Sequence, residues 1–235
     1  MIKFFATWVL NFFDFFHKRK IIRALKKLGV FQISLFFDVG AHKGESIEFF
    51  SKNLNIDKIY SFEASPENFV LLKNKYKNKK NLVLENIALS STISKKIFYQ
   101  CNESSSSTFS AINYNSKYLK KKMRFLNSSK KNEFFNKIEI TTNTLANYLS
   151  DNKILNIDLI KIDTEGHEYD VLVGLDRNIK NVKTIIFEHH YDNMIKKNYT
   201  FSDIHFFLKK NFFRQVFKIK MPFRKSFEYI YINDK

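Results

Sequence analysis

From Ile33 onward, short apolar runs alternate with amphipathic stretches, and this alternation constrains the fold more than any other feature. The runs cover 33–39, 58–62, 82–87, 157–162 and 184–187; helical stretches at 45–54, 66–76, 144–149 and 168–175 lie between them. Continuously apolar strands are buried on both faces, and strands joined through helices run parallel. The stretches 201–210, 212–220 and 227–232 predict a helix followed by a β-hairpin. The expected fold is α/β: a doubly wound, Rossmann-like, mostly parallel sheet with a C-terminal antiparallel hairpin at one edge. At 235 residues, one domain over 31–235 is expected, preceded by a helical segment over 1–30.

Two stretches stand outside the alternation. Residues 101–137 are polar, with serine and lysine runs, and lie between strand-like segments at 96–99 and 138–142. A long polar excursion of this kind is expected to cover a binding site. The first 16 residues are apolar but interrupted by Lys3, Asn11 and Asp14, and a basic cluster, His17 to Lys20, follows them. They are too short for a spanning helix and lack the order of a signal peptide. A helix lying on an anionic membrane surface through residues 1–23 and a helix packed on the sheet both fit the pattern.

Composition narrows the partners. Forty basic against 23 acidic residues give a net charge of +17, yet only six of the basic residues are Arg. Base and phosphate readout favours arginine forks, and the excess of Lys, Asn, Ile and Phe is that of an A/T-rich coding bias, so a nucleic-acid partner is not favoured. The single Cys101 cannot form an intrachain disulfide, which fits a cytoplasmic protein, free or peripheral to the inner face of the membrane.

Glycine is scarce, with five in the chain, so each is expected where another residue would not fit. Gly40 and Gly44 fall in Asp38-Val-Gly-Ala-His-Lys-Gly44, a strand tip, turn and helix start. Glu63 ends the next strand, about 20 residues on, where such folds place the acid that binds ribose hydroxyls. Together these features point to an adenosine-containing cofactor. His42 takes the place of the second glycine of a dinucleotide fingerprint, and a Walker lysine motif is absent, so a pyrophosphate cradle is poorly supported. S-adenosylmethionine, with an adenosine and an amino-acid tail but no phosphates, suits the turn.

A second motif, Asp163-Thr-Glu-Gly-His167, follows the apolar run 157–162 and crowds ionisable groups into a turn. Asp163 and His167 are candidates to deprotonate an acceptor, with Glu188, His189 and His190 at the next strand tip. Asp163, Glu165 and His189 could also offer metal ligands, but no two-histidine spacing marks a site, and a divalent metal is not favoured.

These segments, with Phe62-Glu-Ala-Ser-Pro-Glu-Asn68, Asn86-Ile-Ala-Leu89 and Ile185-Ile-Phe-Glu188, resemble the FkbM family of class I S-adenosylmethionine-dependent methyltransferases. The resemblance runs from about Phe36 to His190. It implies that Asp38, Gly40, Ala41 and Gly44 surround the methionine tail, that Glu63 binds the ribose, and that Ala64 and Ser65 lie beside the adenine. Asn86 and Ala88 would line the adenine pocket, with Asp163 at the cofactor and Asp163, His167, Glu188 and His189 serving catalysis. It also implies O-methyl transfer to a hydroxyl of a glycan, glycolipid or saccharide-bearing metabolite. The alternatives are an RNA or other nucleic-acid methyltransferase, against which the absence of a proline-aromatic turn after Asp163 argues, and a non-catalytic membrane-associated module.

Overall fold

The computed structural model describes residues 16–101, 106–125 and 134–235. Seven strands form the main sheet: β1 (Gln32–Val39), β2 (Asn55–Phe62), β3 (Leu82–Glu85), β8 (Ile157–Ile162), β9 (Val182–His190), β11 (Phe213–Lys220) and β12 (Ser226–Asn233). Their order is β11-β12-β9-β8-β1-β2-β3. The five strands from β9 to β3 are parallel, while β12 pairs antiparallel with both β9 and β11. The C-terminal hairpin expected from the sequence is present, with one refinement. Its second strand inserts between β9 and β11, so only β12 opposes the common direction.

The apolar runs are buried on both faces because their residues alternate between two cores. Phe37, Tyr60, Ile160, Ile185, Tyr229 and Tyr231 belong to one cluster. Their neighbours Phe36, Ile59, Leu159, Ile186 and Ile230 belong to the other. Helices over Leu145–Asp151, Glu168–Val173 and Phe201–Lys210 cover the first face through Leu149, Leu172 and Leu208. Glu45–Asn53 and Pro66–Lys75 cover the second through Ile47, Phe50 and Leu72. Ser65, Thr144 and Thr200 cap three of these helices with their hydroxyls, satisfying amides that the helical ladder leaves open.

A helix over 16–27 joins the second face. Ile21, Ile22 and Leu25 are buried there beside Phe36 and Ile230, and the buried His17 bonds to Glu228 on β12. Its apolar side is therefore turned to the sheet, while Lys20 and Arg23 are exposed. The expectation for residues 1–15 lies outside the described residues. Among those described, no helix is long and apolar enough to cross a membrane.

The polar excursion is more structured than its composition suggests. β5 (Lys95–Cys101) and β7 (Phe135–Asn143) form an antiparallel pair flanking it, and β4 (Ala88–Leu89) adds to β7. Within it, β6 (Ala111–Ile112) pairs with β10 (Ile195–Lys196), and a helix spans Lys117–Phe125. Ile112, Leu119, Met123, Phe134, Phe135, Met194 and Ile195 make a third, small core.

Candidate active site

The chain order reverses between β1 and β8, and a crevice opens beyond the carboxyl ends of the strands there, as expected of an open α/β sheet. It is lined by Gly40, His42, Glu63, Ala64, Asp163, Glu165 and His167, with Ile87, Leu89, Phe98 and Phe109 as apolar wall.

Glu63 is held in place by the backbone. One carboxylate oxygen accepts from the His42 N–H at 2.7 Å and the other from the Ser65 N–H at 2.8 Å. Burial raises its pKa, while these two bonds pull it back. The Asn86 amide donates to the Glu63 carbonyl at 2.8 Å, so Asn86 braces the loop from behind. The Ser65 hydroxyl accepts from the Asn68 amide and donates to Gln100. Ala41 and Ala88 are buried, Ala41 in the core beneath the turn and Ala88 paired with Thr142.

The two glycines of the first turn serve different contacts. A Cβ on Gly40 would lie 1.9 Å from the Asp163 carbonyl oxygen, so the turn after β1 runs against the backbone after β8. The resemblance places Gly44 around the methionine tail, and the structure adds a packing reason for a glycine at this position. A Cβ there would lie 2.4 Å from the Tyr76 ring, whose hydroxyl donates to the Gly44 carbonyl at 2.9 Å. Asp38 is fully buried below the turn, opposite Lys161, with neither carboxylate oxygen hydrogen-bonded; burial pushes its pKa up to about 7 against the pull of Lys161.

At the second motif, burial would raise Asp163, but Lys161, 2.9 Å away, holds its pKa below the ordinary value. His167 also lines the crevice. Its Nε2 lies 3.0 Å from the Ser90 hydroxyl, its Nδ1 3.4 Å from Asp170, and its ring packs on Phe109. Burial lowers its pKa, so the ring is neutral and engaged at both nitrogens. Thr108 and Ser110, from the polar excursion, donate to the carbonyls of Glu165 and Gly166 at 2.7 and 2.8 Å. Those bonds latch the excursion onto the turn.

The strand tip of β9 separates the two histidines. Alternate strand residues point to opposite faces, so Glu188 and His190 share one side and His189 takes the other. His190 Nε2 lies 3.3 Å from both Glu165 and Glu188. His189 is packed among Tyr191, Tyr199 and Phe201, with its pKa lowered to about 3 by burial and by Lys197. The structure thus brings Asp163, Glu165, Glu188 and His190 together and leaves His189 out. For Glu188, burial and then Asp163 push the pKa up to about 8. For His190, burial would lower it, but Glu165, Asp192 and Glu188 raise it to about 10. Lys161 and Phe109 are further site residues that sequence reading did not single out; strand alternation from Asp163 points to Lys161, and nothing local marks Phe109.

The family model of the methyltransferase FkbM domain matches residues 38–215. No curated protein matches the chain in sequence. Among solved structures, the chain is similar to methyltransferase FkbM from Methylobacillus flagellatus KT, with a TM-score of 0.52 and 13% identity over 85% of this chain and 44% of that one. It therefore spans less than half of that protein's length. It is also similar to the N-methyltransferase NodS from Bradyrhizobium japonicum WM9 in complex with S-adenosyl-L-homocysteine, with a TM-score of 0.54, 9% identity and coverage of 95% and 88%. At these identities the likeness is one of fold. The family match spans most of the chain and contains the turn after β1, Glu63 and the Asp163 motif, and on that ground the chain belongs to the FkbM family of S-adenosylmethionine-dependent methyltransferases.

Proposed function

We propose that the chain transfers a methyl group to a hydroxyl of a saccharide, glycolipid or saccharide-bearing metabolite. The observation that carries this reading is the chemistry at one end of the crevice, where Asp163 and Glu165 line the wall and offer carboxylate oxygens to an acceptor. A hydroxyl is a weak nucleophile that needs such an acceptor for its proton.

The crevice fits the cofactor. Each Glu63 oxygen accepts one backbone bond, which leaves lone pairs for two ribose hydroxyls. Ile87, Leu89, Phe98 and Phe109 give an apolar wall for a flat base beside Ala64. The bound cofactor supplies a methyl group on a cationic sulfonium. Gly40 lets the turn close on the Asp163 backbone, and Asp163, kept ionised by Lys161, orients the acceptor oxygen. A carboxylate of the Asp163 and Glu165 pair would take the proton that the acceptor hydroxyl gives up. His167 serves as wall and positioning group, because both its nitrogens are engaged.

The residues of the polar excursion supply acceptor contacts above the crevice, where Ser107 and Phe109 reach the wall. A flipped base is disfavoured by the turn itself, Asp163-Thr-Glu-Gly, which has no proline or aromatic ring to clamp it. Incubation of the full chain with isotope-labelled S-adenosylmethionine and separated cell fractions tests the reading. Label in saccharide or glycolipid, as a base-stable ether, is the expected result; label confined to RNA or to protein amines overturns it.

A further inference from the structure

We propose that Glu165, Glu188 and His190 form a binding site for a divalent cation beside Asp163. Three atoms converge there: Glu165 Oε2, Glu188 Oε1 and His190 Nε2. Each is buried and, among the described residues, without a hydrogen-bond partner. His190 Nε2 stands 3.3 Å from each of the two oxygens, and the three side chains are 12%, 15% and 6% exposed for His190, Glu165 and Glu188. One ligand atom each from Asp163, Glu165 and His190 lies within 4.8 Å of the others.

Ion pairing through His190 holds the two carboxylates, yet leaves their buried oxygens without a hydrogen bond among the described residues. A buried carboxylate oxygen without a donor is costly, and two carboxylates turned toward one another add repulsion. One N–H on His190 reaches both acceptors only as a long, shared contact of 3.3 Å to each. Of the cations that bear on this cluster, Lys161 bonds to Asp163 and Lys122 to Ser106, while Lys122 and Arg224 act on Glu165 and Asp163 through their charge.

A cation accounts for the geometry. Ligands about 2.1 Å from an octahedral ion sit about 3 Å from one another, close to the 3.3 Å that separates His190 Nε2 from each carboxylate oxygen. On the far side of the His190 ring, Nδ1 lies 3.7 Å from the Asp192 carboxylate. A carboxylate there fixes the ring so that Nε2 faces the metal, as it does for most ligating histidines. Two carboxylates and one imidazole form an oxygen-rich set suited to Mn²⁺ or Mg²⁺, with Asp163 and the acceptor able to complete the sphere. A cation at this place would bind the acceptor hydroxyl and ease loss of its proton. That use rests on the O-methylation reading, whereas the existence of the site does not.

The test uses the full chain, stripped with chelator and titrated with Mn²⁺ by calorimetry and by the loss of the free Mn²⁺ electron paramagnetic resonance signal. One equivalent is expected to bind, with affinity reduced at least 100-fold in Glu188→Gln and in Glu165→Gln. Circular dichroism checks that both variants fold; if either does not, His190→Gln replaces it. No saturable binding by the wild type, or equal binding by folded variants, overturns the proposal. Titration of the same preparation with S-adenosylhomocysteine separates this result from the methyltransferase reading, since cofactor product binds whether or not the cation does.

Discussion

The Asp163 carbonyl oxygen occupies the space a side chain on residue 40 would need, 1.9 Å from the position of a Cβ. The turn after β1 and the turn after β8 thus meet backbone to backbone at the floor of the crevice. Gly40 also has φ +86°, a conformation that costs other residues about 1–2 kcal/mol. Gly40→Ala is expected to lower thermal stability by more than that and to abolish S-adenosylhomocysteine binding. Gly29→Ala, with φ +76° and nothing within 4 Å, isolates the conformational part. Equal melting temperatures for the two variants would show that the contact with Asp163 is unimportant.

Glu63 carries two loads, the loop amides and the proposed ribose contact. Glu63→Gln keeps the shape and one acceptor, so the fold should persist while cofactor affinity drops by about 1.5–3 kcal/mol, the range for bonds to a charged group. Glu63→Ala should also lower the melting temperature, because the His42 and Ser65 amides lose their acceptors. Calorimetry and thermal melts on both variants separate the two effects.

Asp38 links stability to pH. Its folded pKa of about 7 stands well above its ordinary 3.8, so the unfolded chain releases this proton at lower pH than the folded one. The sign follows: ionisation of Asp38 removes stability as pH rises from about 4 to about 7. Asp38→Asn should therefore gain on the wild type in melting temperature between pH 5 and pH 8, measured without cofactor. A constant difference across that range would contradict the assignment.

The register of β9 can be tested with the two adjacent histidines. His189→Phe places an apolar ring among Tyr191, Tyr199 and Phe201 and should leave both the melting temperature and S-adenosylhomocysteine affinity unchanged or raised. His190→Phe should instead strand Glu165 and Glu188 and lower stability. Reversed outcomes in thermal melts would mean that the strand is out of phase by one residue.

Leu25 is fully buried against the second face of the sheet. Leu25→Ala is expected to cost about 2–5 kcal/mol by cavity formation. Deletion of residues 1–15 alone should leave that contact intact. Urea unfolding of the two proteins decides whether the helix over 16–27 belongs to the folded unit.

The acids at the strand tips were legible because a parallel sheet carries its chemistry at one edge, and Asp38, Glu63 and Asp163 each end an apolar run. The choice between His189 and His190 was not. Both faces of this sheet are covered, so the run 184–187 is apolar throughout and gives no sign of which face each later residue joins. The packing at Gly44 was not legible for a related reason, since the Tyr76 ring that excludes a Cβ arrives from 32 residues downstream. The helix Lys117–Phe125 was hidden by its lysines, which surround the two side chains that anchor it, Leu119 and Met123.

The insertion of β12 between β9 and β11 has a kinetic consequence. β11 is synthesised earlier but has no place in the sheet until β12 supplies the edge it pairs with. The contact of His17, on the helix over 16–27, with Glu228 waits on the same event, since it spans 211 residues of chain. Contacts that close such long loops form late and slow the approach to the native state. Until then β9 is an open edge, and an open edge recruits other chains. For this protein the hazardous interval in folding is therefore the time before one strand, Ser226–Asn233, slides into its slot.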